Sequence, residues 1–326
     1  MTPADRFAGG LLGQAIGDAL GAPVEGFDRA VCTQYIEEFL NDRATGHAWA
    51  FDGQYTDDTQ LSRELVISFV ANNGRWNPPA FAARISALFA EGQVRRPGRA
   101  TSCAAERLRA GVSWHRAGEP NAAGNGAAMR AAPVGWLFAA NSSDLVQVAV
   151  TQASITHQHS DAQAGAVAMA QAVALVMGRH QQDDRAFLDG ISGVIRPLSP
   201  TFATDISNVR HVLQLPFEHA QAVVSGLVDT GEWAGTISPH SIPSVVWALY
   251  AYLRGRPTFL EVIRLAISGG GDTDTTAAMA GALIGAELGI EALPRDLVAA
   301  VHDQSRWRAE ELIDLAAKLA LSLSNR

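Results

Sequence analysis

Ser268-Gly269-Gly270-Gly271-Asp272-Thr273-Asp274-Thr275-Thr276 runs directly into Ala277-Ala278-Met279-Ala280-Gly281-Ala282. Three glycines deliver two aspartates, one residue apart, to the start of a long stretch of small residues. Small residues let helix axes approach closely, as the central helices of a compact bundle must. The stretch therefore reads as an inner helix with an acidic, hydroxyl-bearing N-terminus. Far upstream, Tyr55-Thr56-Asp57-Asp58-Thr59 repeats that chemistry ahead of Leu61, Leu65, Val66 and Phe69, an apolar stripe at helical spacing.

Helical periodicity continues through the chain. Pro78-Pro79 opens a helix with Phe81, Ile85, Leu88 and Phe89 on one face. Helical patterns follow over 144–154, 160–178, 183–194, 241–253, 258–267, 275–289 and 305–322. Alanines crowd the second of these from Ala164 to Ala174. No segment alternates over five or more residues with β-branched enrichment, so strands are expected to be scarce or absent. No Pro/Ser linker, charge block or repeat divides residues 1–326. The expected architecture is one all-α domain.

Hydrophobic residues make up 48% and charged residues 18%, a composition that can bury a substantial core. The formal net charge of −8 offers no basic field for phosphates, which argues against direct nucleic-acid binding. Of the 25 basic residues only Lys318 is a lysine, which leaves no Walker-type lysine and almost no Schiff-base candidate. Cys32 and Cys103 lack CxxC spacing and read as reduced thiols. Residues 1–13 have no long apolar core, so they do not read as a signal peptide. The most apolar window, 164–177, is too short to span a bilayer. A cytoplasmic monomer without a membrane partner is the expectation.

The simplest role for an aspartate at a helix start is capping, because the first turn leaves N–H groups unsatisfied. One cap needs one side chain, however. Clustering Asp57, Asp58, Asp272 and Asp274 costs free energy unless a cation neutralises them. Carboxylates with threonine hydroxyls form a hard-oxygen set suited to Mg²⁺, Mn²⁺ or Ca²⁺ rather than zinc. Ala277 stands where an EF-hand loop needs glycine, and no lysine follows the glycines, so neither an EF-hand nor a P-loop fits.

At this point the chain resembles the ADP-ribosylglycohydrolase family. The resemblance is carried by Gly17-Asp18-Ala19-Leu20-Gly21-Ala22-Pro23-Val24-Glu25, then Tyr55-Thr56-Asp57-Asp58-Thr59-Gln60. It continues through Gly124-Asn125-Gly126-Ala127-Ala128-Met129-Arg130, Thr156-His157 and Gly270-Gly271-Asp272-Thr273-Asp274-Thr275. The five motifs stand in family order over roughly residues 5–290. The resemblance implies an all-α orthogonal bundle around a binuclear Mg²⁺ centre, with Mn²⁺ as a possible substitute. Thr56, Asp57, Asp58, Asp272, Asp274 and Thr275 match metal-ligand positions. Glu25, Asp58, Asp272 and Asp274 match catalytic ones. Glu25, Gly98, Thr101, Ala123, Gly124, Asn125, Gly126, Met129, His157 and Gly271 would contact ADP-ribose, the 124–126 loop taking the diphosphate. The implied activity is hydrolysis of ADP-ribose from a modified acceptor.

The remaining motifs are weaker. His157-Gln158-His159 with Asp161 lacks a third soft ligand for zinc, and His159 reads as exposed. Asp18 reads as structural support for a metal-bound loop. Trp233, Trp247 and Tyr250 read as core. Arg95-Arg96-Pro97-Gly98-Arg99 is a basic turn at what the resemblance makes the cleft rim. Arginine-directed members can carry an acidic residue there, and 92–101 contains none. The Gly21–Glu25 loop is more similar to the bacterial branch, which favours arginine on a protein as acceptor. Serine-linked, O-acetyl and nucleic-acid-linked ADP-ribose are alternatives, as is a non-catalytic immunity protein that binds ADP-ribose or occludes a toxin. The intact aspartate pairs favour catalysis.

Overall fold

The computed structural model describes residues 1–41, 51–178, 183–228 and 231–325. Among them lie seventeen α-helices. The first six are α1 (Pro3–Gly21), α2 (Arg29–Tyr35), α3 (Asp57–Ala71), α4 (Pro78–Ala90), α5 (Arg99–Arg109) and α6 (Trp114–Ala117). There follow α7 (Ala132–Phe138), α8 (Ser142–Ser154), α9 (Ser160–Met177), α10 (Asp184–Ile195), α11 (Pro200–Val212) and α12 (Phe217–Ser225). The last are α13 (Ser241–Gly255), α14 (Phe259–Ile267), α15 (Thr273–Leu288), α16 (Arg295–Ala300) and α17 (Ala309–Leu321). β-structure among the described residues is confined to isolated bridges, such as Gly124 with His240 and Ile237 with Gly271. No described helix is long and apolar enough to cross a membrane.

Helices α1 and α15 form the centre. Every residue from Arg6 to Gly21 is buried, as is every residue from Thr273 to Ala286. Helices enclosed on all sides show no polar face, and this is why α1 carries no amphipathic signal in the sequence. The two run antiparallel in backbone contact. A Cβ on Gly9 would lie 2.3 Å from the Gly285 carbonyl oxygen, and one on Gly13 2.3 Å from that of Gly281. At Gly17 it would meet the Ala277 oxygen at 2.1 Å, and at Gly21 the Thr273 oxygen at 2.4 Å. The i, i+4 glycines thus form one stripe facing an equivalent stripe of small residues.

The ends of this pair are held by specific contacts. Thr2 and Asp5 form a capping box, with Thr2 N–H donating to Asp5 Oδ2 at 2.9 Å and Asp5 N–H to Thr2 Oγ1 at 3.1 Å. Buried Arg6 donates to the carbonyls of Ala286, Met177 and Val176, satisfying orphan acceptors at the C-terminal ends of α15 and α9. At the opposite end Tyr35 donates from its hydroxyl to the Leu20 carbonyl at 2.9 Å. The antiparallel arrangement places the loop after α1 beside the loop before α15, and the acidic segments meet there.

The helices expected from sequence are present, with one shifted start. The pattern over 305–322 becomes helical only at Ala309, because Gln304, Ser305 and Trp307 adopt left-handed backbone angles in a tight turn. Helices α1, α2, α6, α11, α12 and α16 were not anticipated. Trp247 and Tyr250 are buried and stacked at 4.8 Å, whereas Trp233 is only half-buried. His159 is partly exposed and accepts from the Asp161 N–H at 3.2 Å as the N-cap of α9.

The seam makes a sharp stability prediction. Gly13→Ala drives a methyl into a backbone oxygen that cannot yield, and should destabilise the fold by about 3 kcal/mol. Gly193→Ala, exposed in α10 with open space around it, should instead stabilise by roughly 0.5–1 kcal/mol. Denaturant unfolding of the two variants checks both signs.

Candidate active site

The N-termini of α3 and α15 bring the acidic residues together. Their carboxylates do not act as caps: neither Thr56 nor Asp272 makes a side-chain capping bond to its own helix. The cap of α3 comes from Asp18, reaching across from α1. Asp18 Oδ1 accepts from the Thr56 N–H and hydroxyl, both at 2.9 Å. Its Oδ2 accepts from the Thr59 N–H at 3.0 Å and hydroxyl at 2.7 Å. Asp57 and Asp58 are thereby left over for another role.

Asp18, Asp57, Asp58, Asp272 and Asp274 are all buried. One carboxylate oxygen each from Asp18, Asp58 and Asp274 lie within 4.8 Å of one another, as do those of Glu25, Asp272 and Asp274. Burial, then mutual repulsion, raises the pKa of Asp57, Asp58 and Asp274 well above the usual carboxylate range. Asp18 and Asp272 are pushed up to about 6, chiefly by burial. Asp58 Oδ1 is buried without a hydrogen-bond partner among the described residues. A hard divalent cation fits this oxygen set, since it would satisfy the orphan and offset the repulsion.

Each of the three glycines is closely approached by another part of the chain. Gly270 and Gly271 have φ of 67° and 77°, and a Cβ on Gly271 would sit 2.3 Å from the Ile237 oxygen. A Cβ on Gly269 would strike the Trp247 ring. The glycines fit the loop between neighbouring segments. Gly26 N–H donates to the Gly271 carbonyl and Gly271 N–H to the Phe27 carbonyl, each at 2.8 Å, so the Glu25 loop is pinned to the start of α15.

A cleft of about 300 Å³ opens above the carboxylates. Glu25, Asp57, Asp58, Gly98, Thr101, Gly124, Asn125, Gly126, Met129, His157, Asp272, Asp274 and Thr275 line it, as do Arg96, Arg99, Ala100 and Pro239. Three anticipated residues, Thr56, Ala123 and Gly271, are not among those lining it. Thr56 spends its hydroxyl on Asp18 and on Asp58 Oδ2 at 3.1 Å, Ala123 gives its carbonyl to the Ser241 N–H, and Gly271 is held as described. Asp18, expected only as support, belongs to the acidic group itself.

A wall of the cleft adjoining the carboxylates is built by residues 124–130. Asn125–Ala127 forms a single 3₁₀ turn, and Met129 lies outside any helix. Asn125 Nδ2 donates to Ser244 Oγ at 2.8 Å and to Asp272 Oδ2, linking this loop to the acidic floor. Arg130 is buried behind it, donating to the Gly126 carbonyl at 2.9 Å, to Gln152 and to Thr156 Oγ1. Burial lowers Arg130 to about 9, so it stays charged at neutral pH and favours an anion on the cleft side of the loop. His157 shares a 2.7 Å hydrogen bond with Thr156 Oγ1. Burial first, then Arg130, pushes its pKa down to about 3, making it a neutral polar contact.

The basic turn forms the rim. Asp57 N–H donates to the Arg95 carbonyl and Arg95 N–H to Gln60 Oε1, each at 3.0 Å. Gln60 Nε2 in turn binds the Gln93 carbonyl and Asp303, and Asp303 is paired with buried Arg63 at 2.7 Å. From this anchored turn Arg96 reaches over to Glu25. No local sequence pattern marks that contact.

The sequence model of the ADP-ribosylglycohydrolase family matches residues 1–326. The chain is 28% identical over 325 residues to the ADP-ribosylarginine hydrolase Tri1 of Pseudomonas putida, covering 97% of this chain and 80% of that protein. It is also 28% identical over 296 residues to the ADP-ribosyl-dinitrogen reductase glycohydrolase of Rhodospirillum rubrum, covering 89% of this chain and 88% of that one. A solved structure described as an ADP-ribosylglycohydrolase-related protein complex superimposes with a TM-score of 0.73 at 29% identity, covering 98% of both chains. With the family match running the full length and the fold shared, the chain belongs to the ADP-ribosylglycohydrolase family.

Proposed function

We propose that this chain is an Mg²⁺-dependent hydrolase that releases ADP-ribose from a modified protein, with an arginine side chain as acceptor. One observation carries the reading: buried carboxylates from two helix starts converge on the floor of a single cleft, leaving Asp58 Oδ1 unpartnered. Removal of ADP-ribose from an acceptor accords with family membership and with the names of the relatives. The choice of arginine draws on the Pseudomonas putida relative, an ADP-ribosylarginine hydrolase by name.

Thr56, Asp57, Asp58, Asp272, Asp274 and Thr275 would hold two Mg²⁺ ions, with Asp18 fixing the start of α3 beneath them. Such ions would supply charge neutralisation and Lewis acidity toward ribose hydroxyls and water. The protein's own groups orient the substrate. The 124–126 loop, backed by charged Arg130, suits the diphosphate. Neutral His157 offers a hydrogen bond without adding charge. Cleaving the glycosidic bond develops oxocarbenium character, which the negative floor stabilises. Glu25 stands at the outer edge, where the acceptor would leave.

The direct test is ADP-ribose release from arginine-, serine- and O-acetyl-linked substrates, with Mg²⁺ and with chelator. Mg²⁺-dependent release from arginine is expected. Binding of ADP-ribose without turnover of any linkage would replace this reading with a non-catalytic one. Asp274→Ala should lower turnover at least about a hundredfold while the helical circular dichroism persists; near-normal activity would remove the carboxylate argument.

Stability should report the cation independently. In metal-depleted protein Asp18 and Asp272 titrate near 6, above the unfolded value of 3.8. The native state therefore binds more protons over that window. Their contribution to its stability is full below about pH 4 and is lost as pH rises through about 6. Mg²⁺ should raise the melting temperature more at about pH 7.5 than at about pH 5, where protons compete for the same oxygens. No Mg²⁺ response at either pH would overturn the assignment. Chelated Asp274→Asn should melt above chelated wild type at about pH 7.5, since one buried charge is gone.

A further inference from the structure

We infer that Glu25 Oε2 and the Ala22 carbonyl form a seat for the acceptor's guanidinium, and that Arg96 occupies it until an acceptor arrives. This rests on the arginine reading above. Arg96 places one guanidinium nitrogen 2.6 Å from Glu25 Oε2 and 2.7 Å from the Ala22 oxygen. Glu25 and Arg96 line the cleft, and the Ala22 oxygen reaches the same guanidinium nitrogen from beside it. A carboxylate oxygen of Glu25 also lies within 4.8 Å of oxygens of Asp272 and Asp274. A guanidinium on this seat therefore stands where a leaving group on ribose held over the floor would be found.

Two further features single out Arg96 as a placeholder rather than a permanent strut. Its side chain is 45% exposed and that of Glu25 31%, so the pair can part without opening the core. Arg96 also has a φ of 51° immediately before Pro97, a conformation unfavourable for a residue with a side chain. The anchored turn holds this backbone because Arg95 is fixed on both sides, by Asp57 and by Gln60. A substrate arginine offers Glu25 and Ala22 the same donors, so exchange of one guanidinium for the other leaves the hydrogen bonds matched.

The seat can be tested with agmatine as a free guanidinium probe, by calorimetry on the Mg²⁺-loaded full chain with ADP-ribose present. Putrescine serves as the amine control. Arg96→Ala should bind agmatine about three- to tenfold more tightly than wild type, the range expected for removing one half-exposed competing pair. Putrescine should show no such gain, and Arg96→Ala combined with Glu25→Gln should lose it. Arg96→Gln, which keeps the Cβ and Cγ methylenes but carries no guanidinium, should repeat the gain. KM for an ADP-ribosyl-arginine substrate should fall by a similar factor, with that for ADP-ribosyl-serine unmoved. Equal agmatine affinity in wild type and Arg96→Ala would overturn the seat, as would an equal gain for putrescine. If agmatine binding improves while no variant hydrolyses ADP-ribosyl-arginine, the seat stands and the arginine-hydrolase reading falls. If that substrate is hydrolysed while agmatine affinity is unmoved, the reading stands and the seat falls.

Discussion

Burying Asp18, Asp57, Asp58, Asp272 and Asp274 against one another removes hydration from each and adds the field of its neighbours. Much of the surrounding structure answers that repulsion. Asp18 is given two N–H groups and two hydroxyls by the first turn of α3. Asp272 takes the Asn125 amide, and Asp274 takes the Thr275 N–H at 2.8 Å. Both helix N-termini point their positive ends at the cluster. These devices are local and partial, and Asp58 Oδ1 receives none of them. What keeps the group from dispersing is farther away, in helices whose backbones are already in contact.

The cleft is divided electrostatically by height. Its floor is acidic, its rim carries Arg96 and Arg99, and buried Arg130 lies behind the loop between them. A molecule with a polyhydroxyl end, a dianionic middle and a cationic outer group meets a different environment at each level. A net charge of −8 conceals this layering entirely. His157, held neutral within it, contributes a directional contact that does not disturb either field.

Much of this was legible in the sequence where the signal is local. The acidic starts of α3 and α15 each lie within five residues of chain, and their chemistry is visible without knowing the fold. The centre of the bundle was half legible. The small residues of α15 announce close packing, but α1 is enclosed on every side and lacks the polar face by which a helix is usually recognised. Its glycines at 9, 13, 17 and 21 do carry a readable i, i+4 stripe. The role of Gly269–Gly271 depends on Ile237 and Trp247, which approach from other parts of the chain. The pairing of Arg96 with Glu25 is likewise a product of tertiary folding, since only the bundle brings their loops together.

The contact between α1 and α15 has a consequence for how such a site can vary. Each residue added to an α-helix advances it by about 1.5 Å and turns it by about 100°. One residue inserted between Gly9 and Gly21 would break the phase of the glycines with the facing carbonyls and swing Glu25 away from Asp272. The pair therefore works as a gauge block: two rods cut to matched length, whose far ends set the spacing of groups they never touch. The turns at 22–28, 93–99 and 236–240 lie off the gauge, yet each is tied to the start of α3 or α15 by backbone hydrogen bonds. The same helix pair thus sets both the spacing of the acidic floor and the position of Glu25 at the cleft's edge.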